Sequence, residues 1–544
     1  MKDARFPELT YNQIKILKEF GEIEKYNTKT KVFSLGDNIY DFFVILEGEI
    51  EIVNPYDKKN IVIHKKYEFT GDSGMLSSRS AQFDAVAKPN TKVLRIKPEK
   101  LKEAITKNSG ISDILLNAFL LRQETVLSEI SGGIKLVGSA NSNKTYEIRD
   151  FLEKNHIWHN FVDIDSDEEA TELLKHFNLT SKDLPLLINS DAKVCKTPTL
   201  EELAKYSGVL MDFEDKVFDV LVIGAGPSGL AASVYAASEG LEVVTIDSNA
   251  PGGQAGKSSK IENYLGFPTG ISGSDLANKA YIQAQKFGCN ISIPHSAKEL
   301  SYNNKSFTVC ATNNKVIQAK SIIIATGAAY RKLPLENVEK FEGCGIYYSA
   351  TGMDVSSCKN QNVVIVGGGN SAGQAAMFLA NFAKKVTILI RGNDLGAKMS
   401  SYLVKRIEAS ENIKVLKNTE ICELIGDHHL EKICLKTSNK NSEMETSNLF
   451  SFIGAKPNTS WLNNLIITDN NGFVCTGELL VKENLTDCDI YKKRNPQSLE
   501  ASIPGVFAVG DVRKGSVKRV ASAVGEGSMA VSQVHAYLGE LEKQ

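Results

Sequence analysis

The stretch DVLVIGAGPSGLAASVYAASEGLEVVTID at residues 219–247 decides the fold of the largest part of the chain. A β-branched strand runs into Gly224-x-Gly226-x-x-Gly229, and a helix of small residues, a second strand and Asp247 follow. The first glycine of this pattern permits a tight turn, the second lets the backbone approach a pyrophosphate, and the third lets the helix pack on the strand. The phosphate then faces the N–H groups of the helix N-terminus. The pattern predicts a dinucleotide-binding βαβ unit in which Asp247 accepts a hydrogen bond from a ribose hydroxyl.

A second unit of the same kind, NVVIVGGGNSAGQAAMFLANFAKKVTILIRG, occupies residues 362–392. Its phosphate-binding turn comprises Gly367, Gly368, Gly369, Asn370, Ser371 and Ala372. The second strand ends in Arg391 rather than in an acid, and an arginine there suits the 2′-phosphate of NADP. Further positive charge follows at Lys398, Lys405 and Arg406. The unit therefore favours NADPH and leaves NADH open, and two such units in one chain predict a flavin on the first and a nicotinamide on the second.

Composition excludes several classes of protein. The chain has 544 residues, 63 Lys and Arg, and 65 Asp and Glu. This length predicts several domains, and the net charge of −2 lacks the basic excess of a nucleic-acid binder. None of the nine cysteines forms a C-x-x-C pair, so we expect no metal site and a reducing, cytoplasmic location. No secretory signal and no long apolar run are visible, so no membrane partner is expected.

Strand and helix patterns divide the chain into three segments. Residues 1–130 alternate short strands with Gly, Asn and Asp turns, which predicts a small β-roll closed by a helix. Residues 131–133 read SGG and are a predicted linker. Residues 134–212 alternate strands and helices, which predicts a small α/β domain. The remainder, from about residue 217, carries both dinucleotide units.

The third segment resembles the bacterial low-molecular-weight thioredoxin reductases over nearly its whole length. The matching stretches are PGGQ (251–254), IENYLGFP (261–268), IIIATGAAYRKLP (322–334), FIGAKPNT (452–459), GVFAVGDVR (505–513) and KRVASAVGEGSMA (518–530). The resemblance implies FAD, NAD(P)H, a homodimer, and an NAD(P)H-binding domain at 336–455 inserted into an FAD-binding domain at 217–335 and 456–544.

The same resemblance assigns the flavin site residue by residue. Asp511 would hydrogen-bond the ribityl chain, and backbone N–H groups at the start of the final helix would face the isoalloxazine. The implied FAD-binding residues are Gly224, Gly226, Pro227, Ser228, Gly229, Asp247, Gly252, Gly253, Gln254, Asn263, Ala325, Thr326, Gly327, Gly510, Asp511, Arg519, Val520 and Ala521. No acid–base residue is assigned, because hydride transfer to a flavin needs positioning more than proton chemistry.

One departure from the family bears directly on the reaction. The family carries its redox disulfide as C-A-T-C just before the second glycine turn, and this chain reads Ser349-Ala350-Thr351-Gly352 there. Disulfide exchange needs an attacking thiolate and a second sulfur, which neither serine nor glycine supplies. Cys344 and Cys358 flank the stretch, either as substitutes or as buried bystanders, and the latter is favoured because free cysteine is usually a small core residue.

The second segment resembles a glutaredoxin-like fold, with Pro185 as the candidate cis-proline. Its active-site position reads Ser142-Asn143-Lys144-Thr145, so both cysteines are absent there as well. The only cysteine of the segment is Cys195, far from that loop in sequence. A structural or docking module is favoured over a thiol relay.

The first segment resembles the cyclic-nucleotide-binding β-roll of the catabolite activator family. The resemblance is carried by EGEIEIV (47–53) and FTGDSGMLSSRSAQFDAVA (69–87). In that family the second stretch supplies an acid for the ribose and an arginine for the cyclic phosphate. Asp72 holds the place of the acid, and Arg79 is the only nearby arginine, although it lies about two residues further from the next strand than the pattern has it. A cyclic nucleotide at residues 71–81 and a ligand-free interaction module both remain open, and no helix-turn-helix follows.

The sequence therefore predicts a multidomain α/β protein. It combines an N-terminal β-roll, a small thioredoxin- or glutaredoxin-like domain without C-x-x-C, and a reductase fold with FAD-binding and inserted NAD(P)H-binding domains. This arrangement resembles a fusion type known as a cyclic-nucleotide-binding-domain thioredoxin reductase. The predicted activity is hydride transfer from NADPH to FAD and on to an unidentified acceptor: a disulfide protein, a ferredoxin-like carrier, a quinone or oxygen. The alternatives are a ferredoxin- or flavodoxin–NADP reductase activity, or a slowly turning-over regulatory flavoprotein.

Overall fold

The computed structural model describes most of the chain. The described residues are 3–77, 79–129, 133–189, 193–211, 216–258, 260–303, 306–350, 355–427, 429–437, 440–480, 485 and 489–543. Of the residues singled out above, 130–132, Thr351 and Gly352 lie outside these ranges.

The first segment folds as a β-roll of two antiparallel sheets, ordered β1-β7-β3 and β2-β6-β4-β5. Its elements are α1 (Tyr11–Leu17), β1 (Glu22–Tyr26), β2 (Thr30–Phe33), β3 (Phe42–Glu47), β4 (Ile50–Val53), β5 (Asn60–His64), α2 (Gly74–Ser77), β6 (Asp84–Ala87), β7 (Thr91–Ile96), α3 (Pro98–Lys107) and α4 (Ser109–Glu129). Helix α4 closes the core, where the Phe42, Phe69 and Phe119 rings contact one another. Strands β3 and β4 are joined by a turn at Gly48, whose φ is +80°.

The second segment is a four-stranded sheet ordered β11-β10-β8-β9, in which only β8 and β9 are parallel. Its elements are β8 (Ile134–Gly138), α5 (Asn143–Lys154), β9 (His159–Asp163), α6 (Glu168–His176), β10 (Leu186–Ile188), β11 (Val194–Lys196) and α7 (Leu200–Ser207). The Leu184–Pro185 peptide bond is cis, which confirms that expectation. Strands and helices alternate as predicted up to β10, and the short strand β11 follows β10 without an intervening helix.

The first glycine turn lies in a seven-stranded sheet ordered β14-β13-β12-β17-β16-β15, with β28 also paired to β17. The strands nearest the turn are parallel, as βαβ units require. The elements are β12 (Val217–Ile223), α8 (Pro227–Ser238), β13 (Val243–Ile246), α9 (Gly253–Gly256), α10 (Gly273–Lys286), β14 (Asn290–Ser292), β15 (Ala297–Tyr302), β16 (Phe307–Ala311), β17 (Val316–Ile324), α15 (Asp489–Lys493), β28 (Val506–Ala508) and α16 (Val520–Leu541).

The second glycine turn lies in a separate parallel sheet ordered β19-β26-β20-β21-β22, beside a small antiparallel sheet of β23, β24 and β25. The elements are α11 (Val338–Phe341), β19 (Ile346–Tyr347), α12 (Val355–Cys358), β20 (Asn362–Val366), α13 (Asn370–Leu379), β21 (Lys385–Leu389), α14 (Ser401–Glu408), β22 (Ile413–Leu416), β23 (Thr419–Ile425), β24 (Lys432–Thr437), β25 (Lys440–Glu445) and β26 (Asn448–Ser451).

Two short strands join the second parallel sheet to the first. They are β18 (Ala328–Tyr330) and β27 (Ala455–Pro457), which pair antiparallel as a two-stranded ribbon. The chain therefore leaves the first sheet at β18, builds the second, and returns at β27 to complete the first with β28 and α16. Within the described part of the chain, none of the helices is both long and apolar enough to cross a lipid bilayer.

Candidate functional site

The first glycine turn is shaped by close backbone contacts. A Cβ on Gly224, whose φ is +108°, would lie 2.4 Å from the Ala325 carbonyl oxygen. A Cβ on Gly229 would lie 1.8 Å from the Gly224 carbonyl oxygen, so α8 can sit this close to β12 only with glycine there. Gly226 differs, because its Cβ would meet nothing nearer than the Gly253 Cα at 3.9 Å. The chain's own packing therefore explains two of the three glycines and leaves Gly226 for a ligand.

Asp247 follows β13 and holds the neighbouring loops by backbone hydrogen bonds. One carboxylate oxygen accepts from the Ala225 N–H at 2.8 Å, and the other accepts from Asn249 at 2.9 Å and Ala250 at 3.2 Å. Burial raises the pKa of Asp247, and the backbone donors oppose that rise. The carboxyl therefore lies next to the turn, as a ribose contact requires.

The turn at 252–254 faces the Gly226 backbone. Gly252 donates to the Ala225 carbonyl at 2.7 Å, and a Cβ on Gly253 would lie 3.1 Å from the Gly226 Cα. Pro227 and Ser228 begin α8 beside this turn. The Gln254 amide nitrogen donates to the Ala328 carbonyl at 3.3 Å, while its buried Oε1 has no hydrogen-bond partner among the described residues. A ligand with a donor near Oε1 would satisfy that atom.

The carboxyl-terminal motif meets the same turn from the other side. A Cβ on Gly510 would lie 2.5 Å from the Ser228 Oγ, and the Gly510 N–H donates to Glu526 at 2.7 Å. Burial raises the pKa of Asp511. Arg519 is the N-cap of α16, so its neighbours Val520 and Ala521 present helix N-terminal N–H groups.

The remaining predicted flavin residues lie around this centre. The Thr326 hydroxyl donates to the Asn458 carbonyl at 2.8 Å, and the Asn458 amide donates back at 2.9 Å. Gly327 has a φ of +60° and accepts from the Asn458 N–H. Asn263 is exposed, between Ile261 and Ile271, which bridge each other. The structure thus brings the predicted glycine turn, acid, glutamine and carboxyl-terminal motif together, while Asn263 lies on the exposed rim.

The second glycine turn repeats the same design. A Cβ on Gly367, whose φ is +139°, would lie 2.5 Å from the Phe452 carbonyl oxygen. Gly368 has only Ile390 near, and Gly369 has no atom within 4 Å. Gly369 is the N-cap of α13, and Ala372 is fully buried. The chain's own packing therefore leaves open space at Gly369.

The basic residues near the second turn differ in whether their charge is paired. Arg391 follows β21 and is exposed, as are Lys398 and Lys405. Arg406 was grouped with them, but its guanidinium contacts the Glu262 carboxylate at 2.8 Å, across to the loop of the first dinucleotide unit. Its charge is therefore compensated, and Arg391 remains the predicted phosphate contact.

Tyr330 lies on the ribbon strand β18, which joins the two parallel sheets. Its ring contacts Phe452 edge-on at 5.9 Å between centroids. Burial raises its pKa, so the hydroxyl is neutral. The motif at 322–334 contains this tyrosine, but only the fold shows that its ring reaches Phe452.

The position of the family's redox disulfide holds no thiol in the described residues. Ser349 and Ala350 are buried, and Thr351 and Gly352 lie outside the described ranges. The Cys344 thiol donates to the Lys340 carbonyl at 3.2 Å, and burial raises its pKa, which disfavours the thiolate. Cys358 is fully buried in the core of the second parallel sheet. None of the eight described cysteines is in a disulfide, and no described group of His, Cys, Asp and Glu could hold a metal ion.

The β-roll contains a pocket that is partly open to solvent and is lined by Asp72, Arg79 and Arg122. Asp72 accepts from the Tyr40 hydroxyl at 2.9 Å, and burial raises its pKa. Arg79 is only 9% exposed, its Nε has no hydrogen-bond partner among the described residues, and its guanidinium lies over the Tyr281 ring at 5.2 Å. The expected acid and arginine therefore share one pocket, although Arg79 lies further from the next strand than in the family pattern.

The residues at the predicted active-site position of the second segment come together in the structure, but none of them is a cysteine. Ser142 caps α5 by accepting from the Thr145 N–H at 3.4 Å. Thr145 and cis-Pro185 both lie within 3.3 Å of a Cβ built on Gly138, so the two meet at the helix start. Cys195 is on β11, partly exposed, and burial raises its pKa.

Comparisons with known proteins agree with this geometry. Residues 218–527 match the family model described as pyridine nucleotide-disulphide oxidoreductase, and residues 23–108 match the cyclic nucleotide-binding domain. A thioredoxin reductase of Listeria monocytogenes is 32% identical over 336 residues, which cover 61% of this chain and 98% of that protein. A protein of Clostridium pasteurianum named as a 34.2 kDa protein in the rubredoxin operon is 31% identical over 328 residues, or 60% and 99% of the two chains. The crystal structure of Lactococcus lactis thioredoxin reductase in its FR conformation has a TM-score of 0.53 and 28% identity, covering 59% and 99%.

The family match covers more than half of the chain and includes both glycine turns, and the family's cofactors are FAD and NADPH. The open backbone at Gly226 and the unsatisfied Gln254 Oε1 fit a flavin dinucleotide, and the open Gly369 with the exposed Arg391 fits NADPH. The chain therefore belongs to the pyridine nucleotide-disulphide oxidoreductase family, as a thioredoxin reductase-like, FAD-dependent oxidoreductase with an N-terminal cyclic-nucleotide-binding domain.

Proposed function

We propose that this protein transfers reducing equivalents from NADPH through FAD to an acceptor other than an internal disulfide. The proposal rests on the sequence Ser349-Ala350-Thr351-Gly352. This sequence has no cysteine at the position where the thioredoxin reductases carry their redox disulfide. When bound, the flavin supplies hydride acceptance from the nicotinamide and one- or two-electron release. The chain's residues bind and orient both cofactors.

We assign the FAD-binding domain to 217–335 and 456–544. Gly226 and Gly253 give the pyrophosphate access to backbone N–H groups at the start of α8, where the helix dipole favours negative charge. Asp247 takes the ribose, and the Gln254 Oε1 accepts from the cofactor. The other assigned residues are those from the Ala325–Gly327 turn, the Gly510–Asp511 turn, the start of α16 and Asn263.

We assign the NADPH-binding domain to 336–455. The N-terminus of α13, at Gly369 and Asn370, receives the pyrophosphate, and Arg391 receives the 2′-phosphate. The Asn370 side chain also accepts from the Ser400 N–H at 2.7 Å, which fixes the start of the helix. NADH binds the same turn without the contact to Arg391.

Two observations favour a one-electron carrier as the acceptor over an external disulfide protein. First, the surface just before Ser349 is already covered by the chain itself, since Tyr146 of α5 lies against Tyr347 at 5.7 Å between ring centroids. Second, the relative from Clostridium pasteurianum is named for the operon of rubredoxin, which is a one-electron carrier. A ferredoxin- or flavodoxin–NADP reductase activity is therefore the alternative that these observations favour, and the acceptor itself is unidentified.

An acceptor comparison tests this proposal. The FAD-loaded protein is reduced with NADPH without oxygen and is then mixed with ferricyanide, a ferredoxin or an oxidised thioredoxin. We expect rapid reoxidation by the one-electron acceptors and none by thioredoxin. Rapid reoxidation by thioredoxin alone would overturn the proposal. Reoxidation by oxygen only, with slow reduction by NADPH, would instead favour a regulatory flavoprotein.

We further propose that the β-roll, residues 1–130, binds a cyclic nucleotide. The support is the pocket that brings Asp72 and the incompletely satisfied Arg79 together, in a segment that matches the cyclic nucleotide-binding domain. A buried arginine with a free N–H group is a suitable partner for a phosphate. Calorimetry of the full chain with cyclic AMP and cyclic GMP tests it, and the absence of heat with both at millimolar concentration would refute it.

We propose a glutaredoxin-like structural module for residues 134–212, on the support of its strand order and cis-Pro185. Because the helix start carries Ser142 and Thr145 instead of cysteines, the module has no dithiol chemistry there. A homodimer is proposed from the similarity to thioredoxin reductases.

A further inference from the structure

Helix α5 contacts both dinucleotide-binding domains. Its N-terminal end meets the NADPH-binding domain, where a Cβ on Gly343 would lie 3.0 Å from the Asn143 Oδ1 and 3.3 Å from the Tyr146 Cβ. The Tyr146 ring packs on the hydrophobic cluster that includes Tyr347 and Phe450. This end of α5 is therefore held by the close approach of its side chains to the Gly343 backbone and by a contact between aromatic rings.

The other end of α5 meets the FAD-binding domain. The buried Asn155 amide, just after the helix, donates to the Asn249 carbonyl at 2.9 Å. The Asn249 amide donates to the Asp150 carboxylate at 3.5 Å, and His156 contacts the Ser274 hydroxyl at 3.5 Å. Asn249 belongs to the loop that Asp247 organises beside the first glycine turn. This end is thus fixed to the loop that follows β13.

The remaining links between the two domains are slender. One is the ribbon of β18 and β27, and a two-stranded ribbon alone is only marginally rigid. Another is the ion pair between Arg406 and Glu262, whose side chains are 52% and 27% exposed, so it contributes little. Further described links are the edge-on contact of the Tyr330 and Phe452 rings at 5.9 Å and the ion pair between Lys332 and Glu342 at 2.9 Å. Where domains are joined by isolated contacts of this kind, relative motion is the default expectation.

We propose that α5 is a strut that holds the NADPH-binding domain in one orientation on the FAD-binding domain, with Tyr146 and Asn155 as positioning residues. The helix has 12 residues and spans about 18 Å, which is enough to reach from one domain to the other. Hydride transfer requires the reacting atoms at about 3–3.5 Å, so a fixed orientation lowers the entropy lost on reaching that geometry. This inference rests on the proposed function.

A designed cross-link tests whether one orientation suffices. The double variant Tyr146→Cys/Gly343→Cys places its two Cβ atoms about 3.3 Å apart, near the usual 3.5–4.5 Å of a disulfide. Mild oxidation with oxidised glutathione converts the two thiols to a disulfide and releases two glutathione thiols, and peptide mapping detects the loss of two hydrogens. We expect the cross-link to form in the protein without cofactors. We also expect the cross-linked, FAD-loaded protein to be reduced by NADPH within about twofold of the wild-type rate.

Two results would overturn the strut. One is a folded double variant in which the cross-link does not form, with each single variant as the control for reactions of the native cysteines. The other is a cross-linked protein that NADPH reduces more than tenfold more slowly and that recovers when the disulfide is reduced, because the domains would then have to move.

A second test weakens the contact of α5 with the NADPH-binding domain and leaves Gly343 unchanged. It therefore does not require a cysteine to adopt the φ of +76° found at Gly343. Tyr146→Ala should slow flavin reduction at saturating NADPH at least fivefold and raise amide exchange at 343–347, with NADPH affinity and FAD content unchanged. Tyr146→Phe keeps the ring and should match the wild type. If Tyr146→Ala equals the wild type, the strut is wrong. If NADPH fails to reduce the flavin of the wild type, the proposed function fails instead.

Discussion

The two open glycines give the sharpest test of the cofactor assignment. Gly226→Ala and Gly369→Ala each add one methyl group where the chain leaves room: the nearest atom is 3.9 Å away at Gly226, and there is none within 4 Å at Gly369. Neither residue has a positive φ, since Gly226 is at −71° and Gly369 at −101°. Alanine can therefore adopt both conformations, and each methyl group points to the space that the account assigns to a pyrophosphate.

The expected effect on folding is small and the effect on binding is large. Both glycines are N-caps, where alanine lowers the free energy of unfolding by about 1 kcal/mol. Alanine also reduces the conformational freedom of the unfolded chain, which raises the free energy of unfolding by about 0.4–1 kcal/mol. Unfolding midpoints without cofactor should thus stay within about 3 °C of the wild type. A methyl group that holds the pyrophosphate away from the helix N–H groups should weaken binding at least tenfold, which corresponds to about 1.4 kcal/mol.

The assay combines thermal unfolding, bound flavin measured by absorbance, and NADPH titration. Gly226→Ala should lose FAD, and Gly369→Ala should keep FAD while its NADPH affinity falls. Gly229→Ala is the matched contrast, because its Cβ would overlap the Gly224 carbonyl oxygen at 1.8 Å and should destabilise the fold itself. Wild-type binding of both cofactors by both variants, or the reverse pattern of losses, would refute the assignment.

Three further predictions concern charge. Arg391→Ala should raise the KM for NADPH about tenfold and leave the KM for NADH unchanged, because only NADPH has a phosphate there; equal increases in steady-state assays with both coenzymes would contradict it. Arg79→Ala should abolish the calorimetric heat of cyclic-nucleotide binding, whereas Arg95→Ala, an exposed arginine paired with Asp41, should not; equal heats would exclude a role for Arg79. Burial lowers the pKa of His64 to about 4 in the folded protein, against about 6.5 when unfolded. Between about pH 6.5 and pH 4 the unfolded state therefore binds more protons than the folded state. The free energy of unfolding should fall over this range as the pH is lowered, by at most about 3 kcal/mol. His64→Gln should flatten this pH dependence in urea unfolding, and an unchanged slope would assign it to other groups.

Local sequence rules predicted the cofactor turns because each turn is a local requirement. Gly224 and Gly367 have φ values of +108° and +139°, which favour glycine, and each follows a strand and precedes a helix. The order of strands and helices in the second segment was predictable for the same reason. The shortest strands, such as β6 and β11, cannot be recognised in the sequence, because four and three residues are too few for alternation.

Contacts between distant segments could not be read from the sequence. Arg406 lies near Arg391 along the chain, yet its charge is paired with Glu262 on the other domain. Arg79 lies further from the next strand than in the cyclic-nucleotide-binding pattern, yet the fold brings Asp72 and Arg79 to one pocket. The contacts of α5 with Gly343 and Asn249 join residues about 100 to 200 positions apart, and no local pattern encodes such pairings.

The central claim is that a flavin and a reduced nicotinamide meet in this chain. Its most direct test is an anaerobic titration of the FAD-loaded protein with NADPH, followed by flavin absorbance. The account predicts complete bleaching at one NADPH per FAD and recovery of the yellow colour on adding ferricyanide. A protein that stays colourless after incubation with excess FAD, or whose flavin NADPH does not bleach, would contradict it.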